Sequence, residues 1–187
     1  MILASSSPRR RELLSQAGVS FEVISPHLAE PVDLCGATPM QTAQALAYFK
    51  ARAVWDSHRD RWVLGADTIV NEGGEVLGKP LDAEHARSML RRLSSARHTV
   101  ITGVALLGPG GRRSIMAQAT GITMRRMTEQ EVDQYISSGE WIGKAGAYAI
   151  QETADRFVQR VEGSFSNVVG LPMELVMNML AREGVIA

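Results

Sequence analysis

Asp67 lies in Gly65-Ala66-Asp67-Thr68, inside a largely apolar run from Trp62 to Val70. A carboxylate in a buried strand is costly unless a partner or a reaction holds it there. Such a group can ligate a divalent cation or take a proton from water. Lys79, a short hairpin later in Gly78-Lys79-Pro80, can neutralise a phosphate. A structural ion pair also accounts for the pattern, but the small residues before Asp67 let a ligand or another backbone approach and favour a functional role.

A second group is Ser5-Ser6-Ser7-Pro8-Arg9-Arg10-Arg11. A strand that runs straight into a helix aims backbone N–H groups, hydroxyls and guanidinium groups at one point, which suits a phosphate chain. A capped surface helix explains Ser7-Pro8 but not the stacking of serines against arginines. The third group is Lys144 to Gln151 with Glu162 to Pro172, segments rich in Gly, Ala and Ser that follow neither the helix nor the strand period.

The elements that must position these groups are partly explicit. Ile2 to Ser5 reads as a buried strand, Ser7-Pro8 as a helix start, Gly18 as its end, and Phe21 to Ile24 as a second strand. Pro26 to Gly36 reads as a loop carrying Glu30 and Asp33. Thr38-Pro39-Met40-Gln41 is a capping box opening a helix on which Lys50 lies late. The run from Trp62 to Val70 reads as interrupted at its middle, with a turn at Glu72-Gly73-Gly74 and a strand from Glu75 to Leu77. Asp82 caps a third helix, Val100 to Leu107 and Ser114 to Met124 form a hairpin, Thr128 opens a helix that stops at Gly139, and Pro172 starts the last one. Hairpins mixed with helices predict an α/β fold with a mixed twisted sheet and flanking helices, not a regular Rossmann domain. No GxGxxG or Walker motif is present.

At 187 residues the chain fits one domain, 1–187, and a balance of 21% charged to 45% hydrophobic residues predicts an ordinary core. Lys plus Arg equals Asp plus Glu at 20 each, so the basic excess that drives nucleic-acid binding is missing and any useful positive charge must be local. Cys35 has no second cysteine to pair with, and the pattern reads as an inert thiol in a reducing cytoplasm. No apolar stretch is long enough for a signal core or a membrane span, so a cytoplasmic protein without a membrane partner is expected.

In this order and combination, LASSSPRR, GADTIV, GKP, GKAGAYAIQ and GSFSNVVGLP resemble the Maf family of nucleoside triphosphate pyrophosphatases over essentially the whole chain. The resemblance implies two lobes around a central cleft, a fold related to inosine triphosphatases, and metal-dependent attack of water that releases pyrophosphate. It places the catalytic aspartate on Asp67, with Ser7, Arg10, Glu30, Lys50 and Lys79 as the phosphate-binding and acidic positions. Asp67 and Glu30 would hold the divalent cation, Mg²⁺ or Mn²⁺. The likeness is closest to the branch acting on dTTP and UTP, whose specificity positions match Arg9, Thr68 and Gln151. A glutamine amide both donates and accepts, so Gln151 suits the N3–H and a carbonyl of uracil or thymine. Where some relatives have aspartate before Lys-Ala-Gly this chain has Gly143, which leaves Lys144 in a more positive setting. Family habit and general frequency suggest a homodimer. The competing expectation is a nucleotide-binding regulator of cell division or septum formation, without turnover.

Overall fold

The computed structural model describes residues 1–27, 36–151 and 153–186. Its elements are β1 (Ile2–Ala4), α1 (Pro8–Gln16), β2 (Glu22–Val23), α2 (Pro39–Trp55), β3 (Val63–Glu72), β4 (Glu75–Leu77), α3 (Ala83–Leu93), β5 (Arg97–Leu107), β6 (Arg113–Met124), α4 (Glu129–Ser138), β7 (Val158–Glu162), α5 (Phe165–Val169) and α6 (Met173–Arg182). The strands form one mixed sheet in the order β2-β1-β3-β5-β6-β7, with β4 also on β3. β1 runs parallel to β2 and β3, and the remaining pairs are antiparallel. The expected mixed α/β sheet is therefore present.

Several start signals act as the sequence implies. Ser7, Thr38, Asp82 and Thr128 each accept from the backbone N–H three residues on, and Thr38 and Thr128 complete reciprocal boxes with Gln41 and Glu131. The buried strand expected around Asp67 is β3, in which Gly65 to Thr68 keep full register with β5 although they interrupt its apolar run. One expectation is corrected. The irregular stretch before Pro172 contains a strand, β7, and a short helix, α5.

Strand alternation assigns the two faces of the sheet. Ile2, Ala4, Val63, Ala105 and Leu107 pack with Ala47, Ala51 and Val54 of α2 on one face. Leu3, Leu64, Ala66, Val104 and Leu106 pack on the other with Leu14 of α1 and with Val176, Met179 and Leu180 of α6. Further along that second face, Val70, Val100, Ile122 and Met124 meet the apolar sides of α3 and α4 in a separate cluster. The two clusters are the cores of two lobes. Their division follows from β3, which pairs with β1 over Val63 to Gly65 and with β4 over Val70 to Glu72, so the intervening residues on that edge pair with neither strand.

α2 lies unusually close to the sheet. A Cβ on Gly65 would stand 2.6 Å from both Ala47 O and Ala51 N, and one on Gly103 would collide with the carbonyl of Ala43. Glycine in the strands and alanine every fourth residue on the helix together remove the atoms that would hold the two apart. Gly65→Ala is expected to cost about 1–3 kcal/mol and to lower the melting temperature by several degrees. A calorimetric scan indistinguishable from the parent would show that α2 is not seated on β3 in this way.

Candidate functional site

A cavity of about 1100 Å³ opens between the lobes, against the unpaired stretch of β3. The turn from β1 into α1 brings Ser7, Arg9 and Arg10 to its wall, α2 brings Lys50, and β3 brings Asp67 and Thr68. Lys79, just after β4, and Lys144 and Gln151, from the segment before β7, line it as well. Every expected site residue among the described ones thus meets in one cavity. Glu30 lies outside the described residues, as do Asp33 and Cys35.

Asp67 and Thr68 are neighbours in a strand, so their side chains leave opposite faces of the sheet. Asp67 pairs in register with Gly103 and points toward α2, where its carboxylate meets the ammonium of Lys50. Both side chains are largely buried, at 12% and 11% exposure for Lys50 and Asp67. The seating of α2 against Gly65 and Gly103 is what brings Lys50 within reach. A buried carboxylate held this way keeps one orientation, and removing either partner is costly.

Thr68 points to the other face and meets Arg10. The guanidinium donates from Nε to the carbonyl of Gly170 at 2.7 Å, from Nη2 to Thr68 Oγ1 at 3.1 Å and from Nη1 to Ser5 Oγ at 3.4 Å. Gly170 adopts φ +122°, a region that L side chains rarely enter, and its added Cβ would meet Thr68 Oγ1 at 3.4 Å. The GSFSNVVGLP segment therefore supports Arg10 from behind. Ser7 caps α1 through the Arg10 N–H, so the first free turn of that helix opens on the cavity beside the guanidinium.

The far wall is the GKAGAYAIQ segment. The N–H of Gly146 donates to the carbonyl of Gly78 at 3.0 Å, which ties this segment to the turn that carries Lys79. Ala147 is fully buried at φ +62°, a left-handed conformation that costs a non-glycine residue about 1 kcal/mol. Next to it, the Tyr148 hydroxyl lies 2.7 Å from His98 Nε2, edge to face with the imidazole. Burial pushes the His98 pKa down to about 4 and raises that of the Tyr148 phenol, so both are neutral near pH 7. His98 anchors this wall and carried no signal in the sequence.

Charge in the cavity contrasts with the balanced chain. Its described lining contains five cations, Arg9, Arg10, Lys50, Lys79 and Lys144, against the single carboxylate of Asp67. No group of three or more His, Cys, Asp or Glu able to hold a metal occurs among the described residues. One buried carboxylate beside a surplus of cations still fits Mg²⁺, which is usually held by one or two protein carboxylates together with substrate phosphates and water. Thr102 and Asn167, both fully buried, connect to Arg10 through hydrogen bonds described below, and sequence reasoning missed them too.

The Maf-like protein family model matches residues 1–183. The chain belongs to the Maf family. A dTTP/UTP pyrophosphatase of Geobacillus sp. (strain WCH70) is 45% identical over 98% of both chains. The dTTP/UTP pyrophosphatase of Deinococcus radiodurans is 44% identical over 100% of this chain and 94% of its own. Among solved structures, a HAM1 protein from Coxiella burnetii overlaps 82% of this Maf chain and 88% of its own at 16% identity, with a TM-score of 0.45, a distant likeness from which nothing is drawn about the site.

His98 makes a testable contribution to pH dependence. The unfolded imidazole binds its proton near 6.5 and the folded one only near 4, so the stabilisation is complete above that window and is lost as the pH falls through it. At pH 5 this amounts to about 2 kcal/mol. Urea unfolding at pH 7.5 and pH 5 should show that much more loss in the parent than in His98→Gln. An equal loss in both would mean that the imidazole is protonated in the folded protein.

Proposed function

We propose that this chain hydrolyses pyrimidine nucleoside triphosphates, dTTP and UTP together with modified pyrimidine nucleotides, to the monophosphate and pyrophosphate, a house-cleaning reaction on the nucleotide pool. The observation that carries the proposal is a cavity in which, among the described residues, one buried carboxylate stands with five cations. The names of the relatives, aligned over nearly the whole chain, point to the same substrates.

A triphosphate brings close to four negative charges, and a nucleophile approaches its α-phosphorus only after they are balanced. In this reading the first turn of α1, with Ser7, Arg9 and Arg10, grips the polyphosphate from one lobe, while Lys79 and Lys144 grip it from the other. Asp67 orients the attacking water and takes its proton. As the oxygen bonds to the α-phosphorus, the bridging bond to the β-phosphate breaks and the electron pair leaves with pyrophosphate, whose charge the same cations stabilise. Lys50 holds the Asp67 carboxylate in place. A divalent cation, Mg²⁺ or Mn²⁺, would be held by Asp67 and Glu30 and would supply further neutralisation of the phosphate oxygens. Gln151 lines the cavity where its amide can meet the N3–H and a carbonyl of uracil or thymine.

Asp67→Asn is expected to lower turnover by about 10²–10⁴-fold with the circular dichroism spectrum unchanged. Arg10→Ala should lower kcat/KM about a hundredfold, the usual cost of one lost charge-stabilising donor. Both are read as pyrophosphate released from dTTP and UTP with Mg²⁺ present. Release of phosphate one unit at a time would identify an ordinary phosphatase instead, and tight nucleotide binding without any release would identify a regulator.

A further inference from the structure

We propose that Thr102 and Asn167 are positioning residues that orient Arg10 toward the polyphosphate through a one-directional relay of hydrogen bonds in which Thr68 is the intermediate link. The inference rests on the reading of Arg10 as a phosphate ligand and adds residues that do not line the cavity.

The direction of the relay follows from counting protons. Thr102 Oγ1 lies 3.0 Å from the backbone carbonyl of Asn167, which can only accept, so the Thr102 hydroxyl spends its one proton there. Thr68 Oγ1 lies 2.9 Å from Thr102 Oγ1, and since the Thr102 proton is already committed, Thr68 must be the donor in that pair. Gly170 O is a poorer target for the Thr68 proton, at 3.5 Å and already accepting from Arg10 Nε at 2.7 Å. The Thr68 oxygen then presents only lone pairs to Arg10 Nη2, 3.1 Å away. The order is Arg10 to Thr68 to Thr102 to the Asn167 carbonyl, with each hydroxyl accepting once and donating once.

The end of the relay is fixed in the core. Asn167 is fully buried, and its Nδ2 donates to the carbonyl of Val100 at 3.0 Å and to Thr120 Oγ1 at 2.9 Å. Thr120 in turn donates to the carbonyl of Ser164 at 3.1 Å, so the start and the middle of the short segment containing α5 are tied to β6 and β5. That segment ends in Gly170, whose carbonyl is the second acceptor for Arg10. Asn167 thereby bears on two of the oxygens that receive the guanidinium, Thr68 Oγ1 and Gly170 O, beside the contact to Ser5 Oγ. Two acceptors fixed relative to each other define the plane of an arginine as one cannot. A consequence for Thr68 is that its proton is committed inside the protein, so toward a substrate its hydroxyl can only accept.

The test is binding of inorganic tripolyphosphate and of uridine, by calorimetric titration in the presence of Mg²⁺, to the intact chain and to Thr102→Val, Thr102→Ser, Arg10→Ala and the Arg10→Ala/Thr102→Val double variant. Thr102→Val should raise the tripolyphosphate Kd about tenfold, the scale of one hydrogen bond, and leave the uridine Kd unchanged. Thr102→Ser should restore the parent value, and Thr102→Val should have no further effect once Arg10 is gone. If Thr102→Val proves too unstable to titrate, Thr102→Ala is read in its place against the same serine rescue. Parent-like tripolyphosphate binding in Thr102→Val, or a parallel loss for uridine, overturns the relay. Parent-like binding in Arg10→Ala overturns instead the reading of Arg10 on which it rests.

Discussion

The arrangement of this protein depends on a gap in the hydrogen bonding of one strand. β3 has β1 along the start of one edge and β4 along its end, and between them, among the described residues, Ala66 to Ile69 pair only with β5 on the opposite edge. A continuous neighbour there would close the sheet and fill the space between the lobes. The gap instead lets a cavity reach the middle of a buried strand, where alternation sends Asp67 to one face and Thr68 to the other. Each is met by a cation, Lys50 on α2 and Arg10 on α1. The carboxylate and the hydroxyl that receives the guanidinium thus stand on adjacent residues of a rigid strand, which fixes them better than any pair of loops would.

Burial sets the strength of the charges gathered there. A chain with equal numbers of acidic and basic residues exerts little long-range pull on an anion, yet five cations line the cavity against the carboxylate of Asp67 among the described residues. Between low-dielectric walls such a local excess acts more strongly than the same charges spread over a surface. The polar groups Thr102, Asn167 and the neutral pair His98 and Tyr148 are buried around this charge.

How much of this could be read in the sequence depended on the range of the interactions involved. The capping boxes at Thr38 and Thr128 act within four residues, so both helix starts were legible. Asp67 and Arg10 stood out because a buried acid and a run of arginines after serines are unusual in themselves. The strand around Asp67 was legible too, but not why Gly65 and Asp67 interrupt its apolar run: the glycine admits α2 and the aspartate meets Lys50. β7 escaped because it pairs with few residues of β6 and keeps Gln159 and Arg160 exposed, and α5 because five residues are too few to show a period. Thr102 and Asn167 were invisible because their partners stand 65 residues apart in the chain, and only the fold reveals which hydroxyl meets which carbonyl.

The most direct examination of the central claim is a crystal structure of the chain with Mg²⁺ and a dTTP analogue whose bridge between the α- and β-phosphates is an unreactive imido group. The account predicts the phosphate tail lying between Arg10 and Lys79, with the α-phosphorus turned toward Asp67. An analogue bound outside this cleft, or seated in it with its base against Arg10 and its phosphates in open solvent, would contradict it.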